Sequence, residues 1–154
     1  MFNDLLTNSL DKILWTPNIT HIYLCDMDDQ PIDKISWPPF LESLMIQENG
    51  NFNHPIDKVV WPPYLKSLSI ESGTFNQSID KIVWPPYLEE LVIGGSFNHP
   101  IDNVLWPPHL KRLSIVGTRF NQPIDKVVWP PFLESVEIGG RFDQPIDNVL
   151  LPSL

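Results

Sequence analysis

The sequence predicts a mainly β solenoid of about six turns of 22–24 residues, with a parallel sheet on the concave side, an extended row on the convex side and little helix. Three observations predict it. The phrase PIDKVVWPP at 55–63 and 123–131 recurs as PIDKISWPP at 31–39, SIDKIVWPP at 78–86 and PIDNVLWPP at 100–108. Tryptophan recurs with it, at Trp15, Trp37, Trp61, Trp84, Trp106 and Trp129, at intervals of 22, 24, 23, 22 and 23 residues. Each turn also carries Leu-x-x-Leu-x-Ile, as in Leu65, Leu68, Ile70 and Leu88, Leu91, Ile93. The crossover rule for parallel strands makes the coil right-handed.

The elements of one turn follow in order. The last three residues of Leu-x-x-Leu-x-Ile alternate with the period of a half-buried strand. A short glycine-containing bend comes next, at Gly73, Gly94-Gly95, Gly117 and Gly139-Gly140. It absorbs the length variation, with five residues at 47–51, four at 71–74 and 116–119, and three at 94–96 and 139–141. Variation confined to one place marks a surface bend. Phe-Asn closes the bend, and the recurring phrase then runs along the convex side. Prolines at both ends of that phrase exclude a helix there. Val59 and Trp61 share the inward face, whereas the Val60 column holds Ser36 in another turn and sees some water. Tryptophan is the anchor: about 200 Å² of ring at ~25 cal/mol per Å² gives an upper bound near 5 kcal/mol. Residues 1–154 form a single domain, with 1–10 as an N-terminal cap or partial repeat and 142–154 as a truncated last repeat in which Leu151 fills the tryptophan slot.

Composition narrows the function classes. Of 154 residues, 42% are apolar, and 17 prolines against 7 glycines describe an ordered, proline-punctuated chain. A net charge of −9 without a basic patch argues against nucleic acid. Apolar runs fall short of the ~18 residues of a membrane span, and no signal peptide is expected. A lone cysteine, Cys25, excludes an internal disulfide and fits a reducing, cytoplasmic setting.

The repeated residues read as fasteners. Asp11, Asp33, Asp57, Asp80, Asp102, Asp125 and Asp147 fall once per turn. At a strand spacing of about 4.8 Å, neighbouring carboxylates repel by ~3 kcal/mol at an effective dielectric of 20. Asx-turns, in which each carboxylate accepts the amide two residues on, are the expected offset, with Lys12, Lys34, Lys58, Lys81 and Lys126 as countercharges. A residue repeated seven times is generic, and one carboxylate per turn makes a poor calcium site, so no catalytic residue, metal or cofactor is expected. His54 and His99 lie two turns apart, too far to share an ion. Asn76, Asn98 and Asn121 are expected to bond neighbouring backbone, with Asp29 and Asp143 in the same slot.

The strand residues that point away from the core vary from turn to turn. Tyr23 and Met45 are the expected apolar anchors of a partner-binding face, and Glu90, Arg112, Glu71 and Glu137 supply its polar specificity. The expected function is therefore a non-enzymatic protein–protein interaction module working through the concave face. The alternative is a self-associating structural protein, a homodimer through a solenoid end or edge, in which Ile146, Val149, Leu151 and Leu154 meet another subunit.

The phrases FNHPI at 52–56 and 97–101 and FNQPI at 120–124, with FNQSI at 75–79 and FDQPI at 142–146, make the chain resemble the FNIP repeat family. The resemblance runs from about residue 6 to the end. That family is a leucine-rich-repeat relative found in social amoebae and in giant DNA viruses that infect amoebae. The PPYL and PPFL elements are also similar to short bacterial leucine-rich repeats. The resemblance implies a leucine-rich-repeat-like fold and a protein partner, belonging to the host if the protein is viral, with location in the host cytoplasm or the virion. Members often carry an F-box before the repeats. The roughly ten residues ahead of the first repeat are too few for one, which implies a substrate-binding half without the recruiting half: a competitor, a decoy or an assembly component.

Overall fold

The structure, a computed structural model, describes residues 10–25, 29–47 and 51–152. Six short strands form one parallel sheet in sequential order: β1 His21–Leu24, β2 Ser43–Ile46, β3 Ser67–Ile70, β4 Glu90–Ile93, β5 Arg112–Ile115 and β6 Ser135–Ile138. They delimit five complete turns of a β solenoid. Among the described residues the only helix is a 3-10 turn at Leu10–Lys12. The register has no slip, so Ile22, Leu44, Leu68, Leu91, Leu113 and Val136 form one row and Leu24, Ile46, Ile70, Ile93, Ile115 and Ile138 another. The alternation dictates this: a one-residue shift would turn every leucine to solvent. From β1 to β5 both rows are at most 5% exposed.

In every turn the tryptophan precedes the first inward strand residue by seven positions, as in Trp61 and Leu68 or Trp84 and Leu91. With the strands in register, the six indoles therefore fall at equivalent positions, one per turn. Trp61, Trp84 and Trp129 are buried; Trp15, Trp37 and Trp106 are half-buried against the same core. The six indole N–H groups are buried and reach no acceptor among the described residues. At the opposite corner the phenylalanines stack, with ring centroids 5.9 Å apart for Phe52–Phe75 and Phe97–Phe120 and 6.1 Å for Phe120–Phe142. Isoleucine and leucine columns such as Ile56, Ile79, Ile101 and Leu65, Leu88, Leu110 fill the space between.

The bends after the strands show why glycine is placed as it is. Gly95 and Gly140 have φ of 66° and 75°. A Cβ there would lie 1.9 Å from the Ser72 carbonyl oxygen and 2.1 Å from that of Gly117, both in the preceding turn. These are the two three-residue bends. Closing the chain in so few residues requires one left-handed position pressed against the turn below, which glycine alone accepts.

The Phe-Asn corner carries the expected asparagine ladder. The backbone N–H of Asn76 donates to Asn53 Oδ1 (2.8 Å), that of Asn98 to Asn76 Oδ1 (3.0 Å), that of Asn121 to Asn98 Oδ1 (2.9 Å) and that of Asp143 to Asn121 Oδ1 (3.1 Å). Asp29 heads it, accepting the Asn53 N–H at 3.0 Å, because the rung needs only an acceptor. The next residue adds a second rung. Gln77 and Gln122 Nε2 donate to the carbonyls of Asn53 (2.8 Å) and Asn98 (3.1 Å), while His54 and His99 Nε2 lie 3.0 Å from the carbonyls of Asp29 and Asn76. The two histidines are thus corner fasteners rather than plain surface residues.

On the convex side two expectations need correction. At Asp33, Asp57, Asp102 and Asp125 the amide two residues on does not cap the carboxylate. Val59 N–H donates to the Ile56 carbonyl (3.3 Å), and Ile35, Val104 and Val127 repeat this i+3 bond. Asp57, Asp102 and Asp125 therefore occupy the second position of a β-turn and project into solvent. High dielectric and salt then hold their mutual repulsion below about 1 kcal/mol per pair, so no capping network is required. Asp80 differs: it accepts the Ser78 hydroxyl at 2.6 Å, and that bond holds its carboxyl below the usual range. Second, the Val60 column is not merely wetted. Val60, Val83, Leu105 and Val128 are 78–82% exposed. The convex row is extended but does not pair into a second sheet.

Candidate functional site

The outward face of the sheet is the one surface where regular backbone presents irregular side chains. Register brings Tyr23, Met45, Ser69, Val92, Ser114 and Glu137 into its central row. Beside it run His21, Ser43, Ser67, Glu90, Arg112 and Ser135. All six predicted partner-binding residues therefore lie on this face or, for Glu71, directly after β3.

The face is graded along its length. At the β1 end Tyr23 is 59% exposed beside the half-buried Met45. The middle is small and polar, with Ser67 and the buried Ser69. The far end carries charge, largely partnered within the face. Arg112 is ion-paired to Glu90, its register neighbour. Glu71 accepts the Ser69 hydroxyl, and Glu137 accepts the Ser114 hydroxyl at 3.3 Å. Cys25 Sγ donates to Gln47 Oε1 at 3.0 Å. The paired arginine and glutamate leave Tyr23 as the most exposed large apolar side chain of this face.

Two columns along the strand entrance escaped the sequence reading. Glu42, Lys66, Glu89, Lys111 and Glu134 alternate in sign from turn to turn, with ion pairs of 3.1 Å for Lys66–Glu42 and 2.9 Å for Lys111–Glu89. The Lys111 hydrogen bond holds the Glu89 carboxyl below its usual range, and the same bond raises the Lys111 ammonium. Just before them stand Phe40, Tyr64, Tyr87, His109 and Phe132, exposed and stacked, with centroids 6.0 Å apart for Phe40–Tyr64 and 6.2 Å for Tyr87–His109 and His109–Phe132. The signal was present: every Pro-Pro pair from Pro38-Pro39 onward is followed by an aromatic ring or histidine.

At the far end of the coil, Ile146 and Leu151 are 65% and 47% exposed, and Val149 is half-buried against the core. Leu154 lies outside the described residues, as do residues 1–9 of the expected N-terminal cap. Among the described residues there is no group of three His, Cys, Asp or Glu side chains placed to hold a metal ion, and no helix is long and apolar enough to cross a membrane.

Such an arrangement offers an extended, rigid, side-chain-diverse surface. No curated protein matches the chain. A family model described as FNIP Repeat matches residues 52–86, 75–118 and 120–154, together more than half of the sequence. The matched segments are the in-register turns with their Phe-Asn ladder, and the chain belongs to the FNIP repeat family.

Proposed function

We propose that the protein is a non-enzymatic protein-binding module that takes its partner on the outward face of β1–β6. The observation that carries this reading is a contrast within one sheet. The two inward rows keep Leu, Ile or Val in every strand, while the outward rows hold tyrosine, methionine, serine, valine, arginine and glutamate. A stacked scaffold with one variable surface is the arrangement repeat proteins use to bind macromolecules.

Tyr23 is the apolar anchor and the Glu90–Arg112 pair the polar one. The test is capture of partners from cell lysate with mass spectrometry, comparing the native chain with Tyr23→Ala and with Glu90→Ala/Arg112→Ala. The two charges are removed together so that neither is left unpaired. Loss of the same captured protein in both variants supports the reading. Equal recovery by all three chains rejects this face.

A further inference from the structure

One surface feature is left unused by the sheet face and by the core. Six aliphatic side chains, Leu14, Val60, Val83, Leu105, Val128 and Leu150, stand in one column on the convex row, each 78–95% exposed. They occupy the same place in the recurring phrase, one residue before the tryptophan or its leucine substitute. Only Ser36 interrupts the column. We infer that this stripe is the contact surface for a second copy of the same chain, forming a two-fold dimer back to back and leaving both sheet faces free.

Three considerations select that occupant. The first is area. A fully exposed valine or leucine side chain offers about 60–120 Å², so the column presents on the order of 400–700 Å² of apolar surface. Monomeric proteins seldom carry a patch larger than about 300–600 Å², and one side of a standard interface is about 800 Å². In the turns of Val60, Val83, Leu105 and Val128 the exposed second proline of the Pro-Pro pair, Pro63, Pro86, Pro108 and Pro131, lies three positions further on and can supply the remainder. The second is period. The rungs repeat once per turn, and another copy carries the same repeat, so apolar rungs can face apolar rungs along the whole stripe. A partner with a different spacing loses step after one or two rungs. The third is charge. The chain carries 19 acidic against 10 basic residues, which opposes self-association in general. The turns flanking the stripe are far closer to balance, with seven aspartates and five lysines. Approach through this side therefore brings together rows of net −2 rather than the −9 of the whole chain.

The inference is independent of the proposed function, because the dimer surface and the sheet face are on opposite sides of the coil. It is tested by sedimentation velocity across a concentration series from micromolar to submillimolar, with the native chain, Val83→Lys/Leu105→Lys, Val83→Ser/Leu105→Ser and Ile146→Lys/Leu151→Lys. The serine pair guards against misfolding, since Ser36 already stands in this column, and circular dichroism confirms that each chain is folded. The native chain is expected to dimerise. Both stripe variants weaken the dissociation constant by on the order of a hundredfold, because a two-fold axis counts each substitution twice. The Ile146/Leu151 variant dimerises as the native chain does. A native chain that stays monomeric throughout overturns the inference and points to a different occupant. So does a dimer that survives both stripe variants, or one lost only with Ile146 and Leu151, which places the contact at the end of the coil.

Discussion

The tryptophan file poses a conflict between burial and hydrogen bonding that one substitution resolves. Trp84 is 8% exposed, and its Nε1–H meets no acceptor among the described residues. Truncation to alanine removes most of the ring's burial and opens a cavity, so Trp84→Ala is expected to cost about 3–5 kcal/mol. A buried donor without a partner separately costs about 1–3 kcal/mol in the native chain. Replacing Trp84 by 3-benzothienylalanine keeps the bicyclic shape and deletes the N–H. That variant is expected to be more stable than the native chain by ~1–3 kcal/mol. With a urea slope of ~2 kcal/mol per M for a chain of this size, the midpoint rises by ~0.5–1.5 M. The assay is urea unfolding followed by far-UV circular dichroism, with the slope checked for constancy because stacked repeats need not unfold as one unit. A benzothienyl variant destabilised by about 1 kcal/mol or more would refute the reasoning, since it would show that the indole N–H has a partner whose loss is felt.

Substitutions at three further positions test local contacts. Gly95→Ala places a Cβ 1.9 Å from the Ser72 carbonyl at a φ of 66°, and the combined strain and backbone displacement should cost about 2–4 kcal/mol in the same urea titration. Asn98→Leu leaves the Asn121 amide without its acceptor and takes one of two acceptors from Gln122 Nε2, and should cost about 1–3 kcal/mol, whereas Asn98→Asp keeps the acceptor, as Asp29 does, and should stay within about 0.5 kcal/mol. Ser78→Ala removes the hydroxyl that holds Asp80 below the usual carboxylate range. A carboxyl depressed in the folded state stabilises the fold above its unfolded pKa, and this stabilisation is lost as pH falls through the folded value. NMR titration of the Asp80 carboxyl should therefore show an upward shift in the variant, and no shift would mean that Ser78 is not the cause.

The fold was legible because its determinants are repeated. Seven-residue phasing from Trp61 to Leu68, alternation over Leu68 and Ile70, and the Phe-Asn pair each recur often enough to outweigh any local ambiguity. Legibility ended where a side chain's role depends on the adjacent turn. His54 looks like an ordinary surface residue along the chain, yet across turns it bonds the Asp29 carbonyl. The alternation of Glu42, Lys66 and Glu89 is likewise invisible until the turns are laid side by side. The Asx expectation failed for a different reason. Asp57 can accept the amide of Val59, but the Ile56 carbonyl competes for that donor and wins because it closes a β-turn. The outward residues were placed on their face correctly by alternation alone. That Arg112 is already paired with Glu90 required the register, since the two are 22 residues apart.

The distribution of hydrogen bonds around one turn sets where the solenoid opens first. On the sheet side, main-chain bonds join every neighbouring turn and continue past the strand ends, with Lys66 N–H donating to Glu42 O at 2.8 Å and Glu71 N–H to Ile46 O at 2.8 Å. At the Phe-Asn corner, asparagine and its neighbour supply up to three bonds per turn. Among the described residues the convex row shows neither: its main-chain bonds, such as Val59 N–H to Ile56 O and Leu65 N–H to Pro62 O, close local turns and cross no boundary between turns. Burial of Trp61, Val59 and Ile56 is what holds that side. Apolar burial is non-directional, so small separations of convex segments cost little until water reaches the indoles. Amide hydrogen exchange should therefore be slowest in β3 and β4 and orders of magnitude faster at Val60 and Val83, well before global unfolding. Equal protection on both sides at low concentration would mean that cross-turn bonding, not burial, fastens the convex row. Protection at Val60 that grows with concentration would instead place a second chain over that column.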